Sequence, residues 1–151
     1  LIGFIQRPIT QYSHTYKNIK KRGYYTINHV HESFIKNAHY TSAKFDENTS
    51  EFEACGLTME QQYDFDAPFV KESKIKLGVK FVQEIPIELN NTFLVIGQIE
   101  HLLIRKDVIQ NDGSLDLNLI NDVSVSGLDT YHKVNKISTF PYAKKDELPV
   151  F

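Results

Sequence analysis

Lys74-Ile75-Lys76-Leu77-Gly78-Val79-Lys80-Phe81 alternates between polar or small and apolar side chains, residue by residue. On an extended backbone successive side chains face opposite ways, so Ile75, Leu77, Val79 and Phe81 share an inner face. The lysines and Gly78 take the other face, which reads as wet. A polar loop at residues 88–91 follows. The stretch from Thr92 to Ile104 is then apolar on both faces and reads as a central strand. Two strands joined by a polar turn predict a long antiparallel hairpin.

Working outward, the chain opens on Leu1-Ile2-Gly3-Phe4-Ile5, a short apolar run closed by Arg7-Pro8. Such a run reads as a buried strand, and proline ends it because it cannot donate to a ladder. A buried strand needs a neighbour on each side, so further strands are expected to precede Leu1. A polar loop leads to a helix over residues 15–22, capped by Ser13 or Thr15 and stopped by Gly23. Lys17, Lys20, Lys21 and Arg22 suit the negative end of its dipole. Tyr24-Tyr25-Thr26-Ile27-Asn28 has the aromatic and β-branched content of a strand.

A second helix is expected over residues 32–40, with Phe34, Ile35 and Ala38 as its apolar set. Ser50-Glu51-Phe52-Glu53 has the pattern of a capping box opening a short helix, which Gly56 closes. Residues 58–70 read as irregular. Asn111-Asp112-Gly113 is a turn, residues 123–127 a short strand or bend, and the tail ends in Pro-punctuated coil. Strands with short helices between them predict one mainly β domain, a small barrel with helical decorations.

Bulk properties narrow the function. The 151 residues are 41% apolar and 24% charged, with a net charge of −2 and no basic stripe. Nucleic-acid binding therefore has no electrostatic footprint. No apolar run is long enough for a membrane span. Cys55 is the only cysteine, which suits a reducing compartment, the cytoplasm by default. No Gly-rich dinucleotide fingerprint, Walker loop or nucleophilic triad is present.

Polar residues beyond the needs of packing gather in three places. Arg7 to Thr15 brings an Arg, several hydroxyls and His14 to a helix start, where unpaired N–H groups suit a phosphate. Capping the helix is the ordinary role of such a loop. His29 and His31 share one face of an extended segment, as two metal ligands would, but no third ligand follows at a metal-site spacing. Hydrogen-bonded histidines are the plainer account. Residues 39–45 carry Thr41, Ser42 and Lys44 after a helix, either a wrap around a polar ligand or a solvated turn. His101 lies within the most apolar strand and reads as a satisfied core histidine, and Cys55 as a small hydrophobe.

Taken in order, several segments carry a resemblance. They are Gly3-Phe4-Ile5-Gln6-Arg7-Pro8, His14-Thr15-Tyr16-Lys17-Asn18-Ile19, Gly23-Tyr24-Tyr25-Thr26-Ile27-Asn28 and Thr41-Ser42-Ala43-Lys44-Phe45. Ser50-Glu51-Phe52, Cys55-Gly56-Leu57-Thr58, Ala67-Pro68-Phe69-Val70-Lys71-Glu72-Ser73, Leu94-Val95-Ile96-Gly97-Gln98-Ile99-Glu100-His101 and Ser126-Gly127-Leu128-Asp129-Thr130-Tyr131 follow. The set resembles the flavin reductase-like FMN-binding split-barrel family, nearest its flavoredoxin-like branch.

The resemblance implies a Greek-key split β-barrel that forms a homodimer with FMN at the subunit interface. It also implies an N-terminal part before Leu1, in line with the missing strand neighbours. It assigns the FMN phosphate to Arg7 and Thr15, with Thr10 beside them. Asn28 lies near the ribityl chain or braces the loop, and Ser42 and Lys44 line the flavin. His101 and Tyr131 approach the ring, from the second subunit or their own. No side chain is expected as a catalytic group and none as a metal ligand, because hydride transfer from NADH or NADPH belongs to the cofactor. A redox partner or flavin acceptor takes the electrons onward. Two other readings remain: an FMN carrier reduced by a protein donor, and a non-enzymatic binding module.

Overall fold

The computed structural model describes residues 1–10, 13–62 and 64–149. The elements in chain order begin with β1 (Ile2–Gln6), α1 (His14–Arg22), β2 (Tyr24–Asn28), α2 (Ile35–Tyr40) and α3 (Glu51–Ala54). They continue with β3 (Met59–Glu60), β4 (Phe69–Val70), β5 (Ile75–Ile87), β6 (Thr92–Ile104), α4 (Leu117–Ile120), β7 (Val123–Ser126) and β8 (Thr130–Lys133). The protein is mainly β with short helices, as expected.

The predicted hairpin is the spine. β5 and β6 pair antiparallel from Ile75↔Ile104 to Ile87↔Thr92, with register shifts at Gly78/Val79 and Phe81/Gln83. Both are inner strands of one sheet ordered β1-β6-β5-β2. Asn91 closes the turn at φ 56°, a left-handed conformation that asparagine tolerates. One side of the sheet carries the main core, with Ile19, Tyr25, Ile75, Leu77, Val79, Val108 and Ile120 buried together.

Two expectations about the sheet need correction. β1 is not a buried strand: its residues alternate between half-buried and exposed, and among the described residues it pairs only with β6. Nor is the outer face of β5 wet throughout: Lys80 is exposed, but Lys76 and Gly78 are covered. Lys76 is buried, and its ammonium pairs with Glu60 and also donates to the Lys71 carbonyl. Gly78 lies under Phe65, whose ring would stand 3.1 Å from an added Cβ. Residues 58–70, expected to be irregular, form the cover. β3 and β4 pair antiparallel around a second core of Phe65, Ala67 and Phe69.

The helices hold smaller departures. α1 ends as predicted, with Gly23 at φ 77° and its N–H donating to Ile19 at 2.8 Å. The helix expected at residues 32–40 starts as a 3₁₀ turn, Glu32–Phe34, capped by His31. Ser50 precedes α3 but makes no side-chain cap bond, so the capping box is not formed. α4 went unread; Asp116 caps it by accepting the Asn118 N–H. The short strand or bend expected at 123–127 is β7, and it pairs with β8, which the sequence reading leaves without an element.

His29 and His31 are hydrogen-bonded into the frame. His29 Nδ1 lies 3.1 Å from Asp122 Oδ2. His31 Nδ1 accepts the Ser33 N–H at 3.1 Å, and its Nε2 lies 2.8 Å from Lys74 Nζ. Burial, then the Lys74 charge, pushes the His31 ring below its ordinary pKa, against Glu32 and Asp122. The folded state thus favours the neutral ring, while the unfolded chain takes up a proton near the ordinary value of about 6.5. Stability linked to His31 is full above that pH and is lost as pH falls below it. The urea midpoint is expected to fall between about pH 7.5 and about pH 5.5, and His31→Gln to flatten that slope. An equal slope in both proteins would assign it to another group.

Candidate functional site

A cleft of about 530 Å³ opens where β1 ends and α1 begins. Gln6, Arg7, Thr10, Ser13, His14 and Thr15 line one wall, and Thr41, Ser42, Lys44 and Glu51 the other. Five of the eight residues proposed from the sequence therefore meet in it: Arg7, Thr10, Thr15, Ser42 and Lys44.

Each wall is held by local bonds. Thr10 N–H donates to Ser13 Oγ at 2.9 Å and Ser13 N–H to Thr10 C=O at 3.1 Å, a reciprocal brace before the helix. The Ser13 hydroxyl is thereby used upstream and does not cap α1, which has no acid in its first turn. The helical ladder starts with Lys17 N–H to Ser13 C=O at 3.1 Å, so the amides of residues 14–16 precede it. These N–H groups and the dipole make the cleft end of α1 positive. Arg7 and Lys44 add full charges.

α1 is fixed against the hairpin by its second face. Tyr16 donates to Glu84 at 2.6 Å and stacks on Phe93 at 6.0 Å, and Lys20 reaches Glu84 at 3.2 Å. Burial and the Glu84 carboxylate push the Tyr16 phenol up to about 12. The Tyr16 bond holds Glu84 below the usual carboxylate range. Thr15, the residue before this anchor, is exposed, and its hydroxyl and the Arg7 guanidinium have no side-chain partner among the described residues.

The second wall leaves the end of α2. The Thr41 and Ser42 hydroxyls each donate at 2.7 Å, to Ala38 C=O and His39 C=O. Those bonds cap the last carbonyls of the helix. With its proton committed, Ser42 Oγ is left as an acceptor toward the cleft.

Asn28, His101 and Tyr131 lie outside this cleft. Asn28 lines a neighbouring pocket of about 330 Å³ with Thr26, Phe34, Phe52 and Val70, and the two cavities share Thr41 and Glu51. Its amide is used on both ends, donating to Thr26 Oγ1 at 2.9 Å and accepting the Val70 N–H at 3.0 Å. That is the bracing role. His101 meets the Phe65 ring edge-on at 5.3 Å, opposite Gly78. Tyr131 hydrogen-bonds His39 Nδ1 at 3.2 Å and lines a separate cleft of about 720 Å³ beside α2.

Glu51 has no site role in the sequence reading: it stands in a capping pattern and in one of the segments that carry the family resemblance. Cys55 is half-buried, and burial followed by the Glu51 charge pushes its thiol up, away from the reactive thiolate. No three or more His, Cys, Asp or Glu side chains gather in a metal-holding arrangement among the described residues. None of the described helices is long and apolar enough to cross a membrane.

The fold and much of the sequence are shared with known proteins. The chain is 46% identical to a candidate flavin reductase with a split barrel domain from Shewanella frigidimarina. That match covers 93% of this chain and 70% of that one, with a TM-score of 0.87. The flavoredoxin of Desulfovibrio vulgaris has the same fold, with a TM-score of 0.73 at 24% identity over 93% of this chain and 74% of its own. An uncharacterised protein of Aquifex aeolicus is 29% identical over 104 residues, 69% of this chain, which spans about half of that relative's length (51%). The profile of the flavin reductase like domain matches residues 4–122. The chain belongs to the flavin reductase-like family, with its split-barrel fold.

Proposed function

We propose that the protein binds FMN, with the phosphate in the cleft between Arg7 and Lys44, and passes electrons from NADH or NADPH to an acceptor. One observation carries this reading. In a flavin reductase-like chain, a permanent guanidinium, a lysine, the Thr15 hydroxyl and the first amides of α1 line one cleft. That donor set fits a phosphate dianion: Arg7 offers a planar fork, α1 its unladdered N–H groups, and Thr10 and Thr15 hydroxyls. Bound FMN supplies the hydride chemistry. The chain's own groups bind and orient: the phosphate end is anchored, and Ser42 Oγ accepts a hydrogen bond on the way to the ring.

The reading includes a homodimer with FMN at its interface. Val82, Ile85, Ile99 and Leu102 are large apolar side chains left exposed on the β5–β6 hairpin, as an interface requires. His101 and Tyr131, outside the cleft of one chain, then serve the cofactor of a second copy. The cytoplasm remains the proposed compartment, on the single cysteine. After loading with FMN, anaerobic addition of NADH or NADPH is expected to bleach the visible flavin bands. Bleaching by a protein donor alone would make the chain an electron carrier. A protein that takes up no FMN would be a binding module of another kind.

A further inference from the structure

Among the described residues, Glu51 is the one acid lining the cationic cleft. It belongs equally to the neighbouring pocket, whose other lining residues, Thr26, Asn28, Val30, Phe34, Ala38, Thr41, Phe52, Leu57 and Val70, are all uncharged. The carboxylate thus stands at the seam, with Arg7, His14 and Lys44 on one side and neutral groups on the other. Among the described residues it has no ion pair or side-chain hydrogen bond. Partial burial pushes its carboxyl up, and His14 draws it back. Cys55 feels the same charge. A carboxylate with no structural partner, next to a site built for an anion, weakens that site unless it meets something else on the ligand.

We propose that Glu51 sets ligand selectivity: its carboxylate accepts hydrogen bonds from ligand hydroxyls and keeps a second phosphate out of the seam. This rests on the reading that a phosphate-bearing flavin uses the cleft. The chemistry selected is a polyhydroxylated chain ending in one phosphate. The excluded chemistry is the same chain extended as a diphosphate, whose extra charge would meet a like charge in a partly desolvated wall. Hydroxyls satisfy the carboxylate, whereas phosphate oxygens bring no proton to share with it.

The test is calorimetric titration of the whole chain with FMN and with FAD, for wild type, Glu51→Gln and Glu51→Ala, with thermal melting of each variant. Glu51→Gln keeps the shape and an acceptor oxygen but removes the charge. It removes the like charge felt by both flavins and the charge-assisted acceptor for their hydroxyls, so FAD, with its extra phosphate, is expected to tighten roughly tenfold relative to FMN, narrowing the preference. Glu51→Ala also loses the hydroxyl acceptor, so FMN should weaken while FAD gains. An FMN-to-FAD ratio unchanged in both variants, with FMN still bound, overturns the role of Glu51 alone. A wild-type chain that binds neither flavin overturns the phosphate reading as well, and does so before any variant is made.

Discussion

Gly97→Ala is expected to cost about 3 kcal/mol of stability, read as a fall in the urea midpoint at unchanged slope. Gly97 sits mid-strand in β6, paired with Ile2 on one side and Phe81 on the other. A Cβ there would collide with Val79 Cγ1, stand 2.5 Å from the Tyr25 hydroxyl and 3.0 Å from the Lys80 carbonyl. Val79 is fully buried and Tyr25 nearly so, and both belong to the main core. Neither has open space to move into, and close packing turns one methyl into backbone displacement. The Tyr25 hydroxyl is itself buried without a hydrogen-bond partner among the described residues. Tyr25→Phe should therefore be near neutral or stabilising, since it removes an unpaired polar group. Combined with Gly97→Ala it should recover part of the loss, leaving the Val79 collision. Equal losses in the two backgrounds would show that the hydroxyl is not part of the obstruction.

How far the sequence led depends on the range of each interaction. The hairpin was legible because its period, its polar turn and its β-branched content are all local. α1 and its Gly23 stop were legible for the same reason, and so was the cluster of Arg7, Thr10 and Thr15 around a helix start. The outer face of β5 was not. Lys76 reads as a surface lysine until Glu60, sixteen positions earlier, pairs with it, while Phe65 covers Gly78 beside it on the same face. β8 was missed because its partner β7 is itself short and polar, so neither strand shows an apolar stripe. Asn28 was identified as functional or bracing. Only the tertiary approach of Val70, again a distant segment, shows both ends of its amide in use. Glu51 was hidden by its own neighbourhood: Ser50 and Glu53 make a capping pattern, although Ser50 makes no cap bond in the fold.

Arg7→Ala should produce the largest loss of ligand affinity of any single change in the cleft. The guanidinium is permanently charged, stands at the end of β1 in the cleft wall, and has no carboxylate partner competing for it among the described residues. Charge-assisted bonds from Arg to phosphate are about twice as strong as neutral ones, and losing a bidentate pair is worth about 100-fold in binding. Its removal leaves little behind to unfold, because Arg7 is exposed and, among the described residues, its one hydrogen bond is the Gln6 Nε2 donation to its carbonyl at 2.9 Å. Thr15→Val should weaken the same ligand less, since one neutral hydroxyl is lost.

The most direct measurement is a titration of wild type and Arg7→Ala with FMN and with riboflavin, which differ only in the phosphate, followed by quenching of flavin fluorescence. The cleft predicts that wild type prefers FMN strongly and that Arg7→Ala loses about 100-fold toward FMN while riboflavin binding stays unchanged. Equal affinity of the wild type for FMN and riboflavin would contradict a phosphate site between Arg7 and Lys44.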